Sequence, residues 1–416
     1  MDRNELKRAR SAGRWQGALI MAGIAVIIAL IVLMIGLIRK IKDGSIFTMY
    51  YNLIGSNSQS EPVVTDEMQE KLGAIKSVID NYYYEEVDPQ ALENGIYKGL
   101  VDGLGDPYST YYTEEEYAEM MESSEGVYQG IGAYLEQDSE TMQIKVVRPI
   151  SGSPAEKVGL LTDDIIVEVD GEDITSQDIN LVVSKIRGEA GTTVNIGIRR
   201  PGKTGILYFD IVRAEVESET VDYEMLEDNI GYIYLSEFDD VTTKQFTGAM
   251  EDLKSQGMDA LILDLRDNPG GNLDVAVDVA DYILPEGLVV YMEDKNGQRE
   301  EYRSDASHHW DKPIAVLVNG NSASASEIVC GALKDYGRAT LVGTKTFGKG
   351  IVQQILPLGD GSGIKVTIAR YYTPNGTCIH GDGFEPDVEV EFDTDLYLEE
   401  DIDTQLVKAI EILKQQ

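Results

Sequence analysis

Asn319-Gly-Asn-Ser-Ala-Ser-Ala-Ser-Glu-Ile328 decides how this chain is read. Before it, Ile314 to Val318 is an unbroken apolar, β-branched run. After it, Glu327 to Leu333 carries apolar residues at helical spacing. The segment therefore predicts strand, tight turn, helix, with Ser324 at the helix start. A helix N-terminus exposes unsatisfied N–H groups and the positive end of the helix dipole. Such an environment suits a hydroxyl whose attack generates an oxyanion. The bland alternative is that Ser322, Ser324 and Ser326 only cap the helix.

A serine nucleophile needs a base. The chain has three histidines, His308, His309 and His380, and no Gly-x-Ser-x-Gly elbow, so a Ser-His-Asp hydrolase is disfavoured. Lys349 lies between glycines in Thr346-Phe-Gly-Lys-Gly-Ile-Val-Gln-Gln354. Burial there would favour the neutral amine, the form that can accept a proton. Gln353, four residues on, is a neutral partner able to hold that amine. The same region satisfies the first seven positions of a P-loop, Gly343 to Lys349. Position eight, however, is Gly350 rather than Ser or Thr, and a strand-like run follows, so nucleotide chemistry is set aside.

These two stretches, with Lys334-Asp-Tyr-Gly-Arg-Ala339 between them, resemble the carboxyl-terminal processing (tail-specific) protease family. The resemblance implies a serine endopeptidase with a PDZ domain. Ser324 would be the nucleophile, Lys349 the base and Gln353 the residue that orients it. Asp264-Leu-Arg-Asp-Asn-Pro-Gly-Gly271 resembles the family's oxyanion loop, which implies Gly270 and Ala325 as the two N–H donors. Asp335 has at most a supporting role, and Arg266 reads as structural.

Residues 126–215 look like a PDZ domain, on Tyr128-Gln-Gly-Ile-Gly132, Ile150-Ser-Gly-Ser-Pro-Ala-Glu156 and Asp163-Asp-Ile-Ile-Val-Glu-Val-Asp-Gly171. The turn of Gly130, Ile131 and Gly132 is expected to present N–H groups to a substrate's terminal carboxylate while a strand edge pairs with its chain. Arg187 is a candidate for coupling the PDZ and protease domains.

From Val216 the pattern alternates strand and helix, which argues an α/β layered core with much parallel pairing. The resemblance implies a crotonase/ClpP-like Ser-Lys protease core over 216–390, followed by a C-terminal helical tail, 391–416. Residues 66–125 read as an N-terminal helical region after a linker, 39–65, and either that region or the tail offers a surface for a homodimer.

The formal net charge is −38, although residues 1–42 hold eight Lys/Arg against two Asp/Glu. An acidic surface repels phosphate backbones, so nucleic-acid binding is not expected. Two cysteines, Cys330 and Cys378, lack zinc-site spacing, and no metal or other cofactor is expected. Gly17 to Ile38 is uncharged and long enough to cross a bilayer. It predicts a transmembrane signal anchor over 17–38 behind a basic cytoplasmic terminus, 1–16, with the protease domain outside the cytoplasm.

The sequence thus predicts a multidomain α/β protein: transmembrane helix, helical region, β-rich PDZ domain and protease core. The expected activity is cleavage of extracytoplasmic proteins that offer accessible C-termini. The competing reading is a PDZ adaptor whose protease domain is inactive.

Overall fold

In the computed structural model, residues 63–139, 141–305, 307–378 and 380–415 are described. They fall into two compact units, residues 63–118 with 353–367, and residues 119–352 with 368–415.

The first unit holds two helices, Asp66–Tyr82 and Pro89–Asp102. Thr65 caps the first, its hydroxyl accepting from the Met68 N–H, and Asp88 caps the second, ahead of a proline at the first helical position. The short strand Thr110–Tyr112 pairs antiparallel with residues 363–365. Asp106 fastens this junction, accepting from the Ser109 and Thr367 hydroxyls at 2.6 Å each. That pairing is why 353–367, expected inside the protease core, groups with 63–118.

The second unit contains two hydrophobic cores. One lies in a six-stranded antiparallel sheet in which Ala133–Gln137, Ile144–Pro149, Ile165–Val169, Thr193–Arg199 and Leu207–Val212 run in that order and the short strand Glu172–Asp173 pairs with Ile165–Val169. The helices Pro154–Val158 and Ile179–Ile186 complete it, with Ile166, Val182, Ile196 and Ile211 among the buried side chains. The second of these begins at Ile179 because Asp178 caps it, accepting from the Asn180 N–H.

The other core is built on a six-stranded sheet ordered Val221–Met225, Ile230–Leu235, Ala260–Asp264, Ile314–Val318, Thr340–Gly343 and Val388–Glu389. The first pair is antiparallel and the rest are parallel. Side chains alternate between faces along each strand. Ile233, Leu263, Val316 and Leu341 pack against the helices Thr242–Ser255, Leu273–Ile283 and Ala325–Asp335. Ile230, Ile262, Leu317 and Val342 pack against Ala409 and Leu413 of the C-terminal helix Thr404–Leu413. Strands buried on both faces read as continuous apolar runs, which is the composition of Ala260–Leu263 and Ile314–Val318. The tail helix therefore closes the sheet.

The expected fold class needs one correction. A transmembrane helix was part of it, yet no described helix is long and apolar enough to cross a membrane. The stretch 17–38 that carried this expectation lies outside the described residues. What stands is a mixed α/β chain with a PDZ-like domain and a layered parallel core.

At the C-terminal end of the sheet, Asp264 is fully buried and held by Arg266 at 2.6 Å and by the Tyr232 hydroxyl at 2.8 Å. Arg266 also reaches Asp403, at 2.8 Å, and thereby ties the tail helix to the sheet. Removing one partner of a buried pair strands the other's charge. Arg266→Ala is expected to lower unfolding stability by about 3–5 kcal/mol, read as a fall in the urea midpoint. A midpoint equal to wild type would remove this pair from the account.

Candidate active site

Two loops meet above the parallel sheet. One follows the strand Ala260–Asp264 and the other follows Ile314–Val318, and these strands are neighbours. Side chains and backbone stitch them together. The Ser322 hydroxyl donates to Leu265 O at 2.7 Å, the Ser326 hydroxyl to Asn268 O at 3.0 Å, and the Ala323 N–H to Asn268 O at 3.0 Å. Asn319 and Asn321 both donate side-chain N–H groups to Asp267. Ser322 and Ser326 are fully buried and consumed in this way.

Ser324 differs from both. From Ser322 to Leu333 it is the only residue that is not buried. Its backbone has φ 55° and ψ −111°, a conformation that costs a non-glycine residue on the order of 1–3 kcal/mol. A strained turn that lifts one side chain out of a buried segment presents that hydroxyl to solvent.

The brace that holds this strain is Glu327, fully buried three residues into the helix. Its two carboxylate oxygens accept from the Ser324 N–H (3.0 Å), the Thr346 hydroxyl (2.6 Å), the Gly348 N–H (2.8 Å) and the Lys349 N–H (2.8 Å). One carboxylate thus joins the backbones of Ser324 and Lys349, 25 residues apart in the chain. The residue escaped the sequence analysis, although serine followed three residues later by glutamate is the signature of a capping box.

The glycines beside Lys349 have a steric reason. A Cβ on Gly348 would sit 2.9 Å from the Gly383 N, and one on Gly350 would sit 2.5 Å from the His380 N. The lysine loop therefore lies flush against backbone 380–383. Lys349 is half-buried and is not isolated from polar partners. Gln353 opens the 353–367 segment of the other compact unit, and its Nε2 is buried without a hydrogen-bond partner.

Gly270 lies against the Ser324 turn. Its φ is +107°, and a Cβ there would come within 2.9 Å of the Ala325 N and the Ser324 Cβ. Its N–H, however, donates to Asn268 Oδ1 at 2.9 Å. That donor is engaged in this conformation and must release Asn268 before it can serve an oxyanion. Ala325 is the first residue of the helix, where N–H groups lack intrahelical acceptors.

The other named residues are placed elsewhere. Asp335 accepts from the Asn375 N–H at 2.8 Å, a structural tether for the turn after residue 372. His308 stacks on Tyr282, with ring centroids 4.4 Å apart. Cys330 and Cys378 are free thiols.

In the PDZ-like domain, Gly130 ends the strand Val127–Gly130, Ile131 is buried, and Gly132 has φ +75° with Ser153 Cβ only 2.4 Å from where its own Cβ would lie. A groove of about 570 Å³ runs from this turn to the core, lined by Tyr128 and Arg187 on one side and Tyr234, Glu237 and Asp239 on the other. Arg187 sits on the Tyr128 ring and forms an ion pair of 2.7 Å with Glu122, whose carboxylate also accepts from the Gln129 N–H. The expected coupling residue therefore meets an internal carboxylate here rather than Ser324 or Lys349.

Comparisons with known proteins agree with this architecture. The model for peptidase family S41 matches residues 229–390, a PDZ domain model matches 145–200, and a model for the N-terminal domain of the activating protease CtpB matches 46–116. The chain is 37% identical over 329 residues to the carboxy-terminal processing protease CtpB of Bacillus subtilis, covering 78% of this chain and 68% of that protein. It is 39% identical over 356 residues to the carboxy-terminal-processing protease of Bartonella bacilliformis, covering 84% and 80%. A solved structure from Bacteroides fragilis assigned to the S41 proteases shares the fold at 19% identity and a TM-score of 0.51, covering 86% of this chain and 99% of that one.

Asp239 gives the groove a measurable property. It is 4% exposed, and burial, with Glu237 and Asp240 nearby, pushes its carboxyl up to about 7. Between the ordinary aspartate value near 4 and about 7, the folded chain binds a proton that the unfolded chain has lost. This contribution to stability is full below about pH 4 and is lost as pH rises through 7. Asp239→Asn is expected to flatten the decline in urea midpoint between pH 5 and pH 8. An unchanged slope would mean that Asp239 titrates normally.

Proposed function

Because this chain belongs to the S41 carboxy-terminal processing proteases and is a serine-type peptidase, we propose that Ser324 and Lys349 form its catalytic dyad. Ser324 Oγ attacks the scissile carbonyl, the neutral amine of Lys349 takes the hydroxyl proton, and that proton later goes to the leaving amine. The observation that carries this reading is the Glu327 carboxylate, which binds the backbones of both residues and leaves Ser324 as the one unburied residue of its segment. Gln353 is the proposed partner that orients the amine. The N–H groups of Ala325 and of Gly270, once free of Asn268, are the proposed oxyanion donors.

The proposed substrates are proteins with accessible C-termini, held at the turn Gly130–Gly132 at one end of the groove. Arg187 is the proposed coupling residue between the PDZ and protease domains. Action on proteins outside the cytoplasm rests on the charge and apolar character of residues 1–42 alone.

Ser324→Ala and Lys349→Ala are each expected to abolish cleavage of an unstructured peptide while leaving the unfolding midpoint unchanged. Lys349→Arg should be equally inactive, since arginine stays charged and supplies no neutral base. Wild-type activity should rise with pH through an apparent pKa well below about 10.4, the value of a free lysine. More than a few per cent of activity in Lys349→Arg would point to a different base.

Amidating the substrate's C-terminus should weaken binding roughly tenfold to a hundredfold, since a charge-assisted contact contributes about 1.5–3 kcal/mol. Equal binding of acid and amide peptides to the intact chain would exclude recognition of the tail's charge.

A further inference from the structure

Glu327 accounts for the N–H side of Ser324 and Lys349, and a separate residue meets their carbonyls. Tyr371, 2% exposed, lies on the strand Gly363–Tyr372 beside Met292. Its hydroxyl stands 2.8 Å from Lys349 O and 3.1 Å from Ser324 O. Its own N–H donates to Gly350 O at 3.2 Å. We propose that Tyr371 is a positioning residue of the peptidase reaction, its phenol fixing the backbone of Lys349 against that of Ser324. This inference rests on the dyad assigned above and extends it.

A phenol has one proton to donate, so the two carbonyls compete for it. Ser324 O already receives the first helical N–H groups, from Glu327 at 2.9 Å and Ile328 at 3.0 Å. Lys349 O is also the nearer acceptor, so the proton goes chiefly there. Lys349 needs such an anchor because Gly348 and Gly350 flank it, and glycine leaves the backbone more conformations to lose than any other residue. With its N–H on Glu327 and its C=O on Tyr371, the lysine backbone is held on both sides and only the side-chain torsions remain to be set. A catalytic base misplaced by even 1 Å forfeits much of its advantage. Burial and the neighbouring Glu327, Cys330 and Cys378 push the Tyr371 hydroxyl well above the ordinary phenol range, so it remains a donor wherever the enzyme works.

The test uses the full chain. Tyr371→Phe removes one oxygen atom and is expected to lower kcat at least tenfold while KM stays within about twofold. Labelling of Ser324 by a fluorophosphonate should slow by a similar factor. A residue that served packing alone would move the unfolding midpoint without this split. Two further replacements at 371 keep the test decisive if the phenylalanine variant folds poorly. 4-Fluorophenylalanine fills the hydroxyl's space without a proton to donate and should be as impaired, whereas 4-aminophenylalanine restores a donor and should recover most of kcat. Wild-type kcat in the fluoro variant, no recovery in the amino variant, or a loss confined to KM would each overturn the proposal. Ser324→Ala in the same assay separates the two readings. If it stays active, the dyad itself is wrong; if it is dead while Tyr371→Phe is normal, only the brace is.

Discussion

The centre of this molecule depends on a single buried carboxylate. Leaving a charge-bearing group inside a protein costs several kcal/mol unless its lone pairs are satisfied, and Glu327 meets that condition with four donors from two separate loops. The dependence runs both ways. The carboxylate is tolerable only while the Ser324 turn and the 346–349 loop surround it, and the strained φ of Ser324 persists only while its N–H is held. Folding of the parallel sheet brings these loops together, because Ile314–Val318 lies between Ala260–Asp264 and Thr340–Gly343 and all three strands end on the same side. Chemistry at the carboxyl ends of parallel strands is a general consequence of such sheets.

The groove between PDZ-like domain and core follows a different logic. Its walls carry both signs of charge among apolar side chains, with Arg148 and Arg187 paired to Glu219 and Glu122 and with Asp239 buried beside them. A strand ribbon, Val127–Gly130 with Ala214–Glu217, joins the domain's two ends, and Ser124 bonds to Asn272 in the core. The guanidinium groups that face the groove therefore already have internal acids.

The proposed oxyanion loop is likewise already engaged within the chain. Gly270 has the backbone freedom and the close approach to Ser324 that the role demands, yet its N–H is held by Asn268, whose own amide donates to Leu235 O. The loop is thus kept rigid by hydrogen bonds that a reacting carbonyl would have to replace. Ser322 and Ser326 were indistinguishable from Ser324 by composition. Packing separates the three, since two point into the stitched interface and one points away from it.

Much of this was determined locally and so was legible in the chain. A continuous apolar, β-branched run such as Ile314–Val318 reads as a strand covered on both faces, a Ser-rich turn before helical spacing reads as a helix start, and Gly-Lys-Gly fits a close backbone approach. Those signals, with the family resemblance, made Ser324, Lys349, Gly270 and the PDZ turn the candidates. Tertiary structure alone decided the rest. Tyr371 carries no local signal, since its role comes from strand pairing that sets its hydroxyl beside residues 22 and 47 positions earlier in the chain. The partner of Arg187, the engagement of Gly270 by Asn268, and the grouping of 353–367 with 63–118 likewise arise from contacts between segments distant in sequence. A hydrophobic pattern records which face of an element is buried. Which polar atoms meet across the buried space depends on the order and register in which the elements pack, and the periodicity of no single segment contains that information.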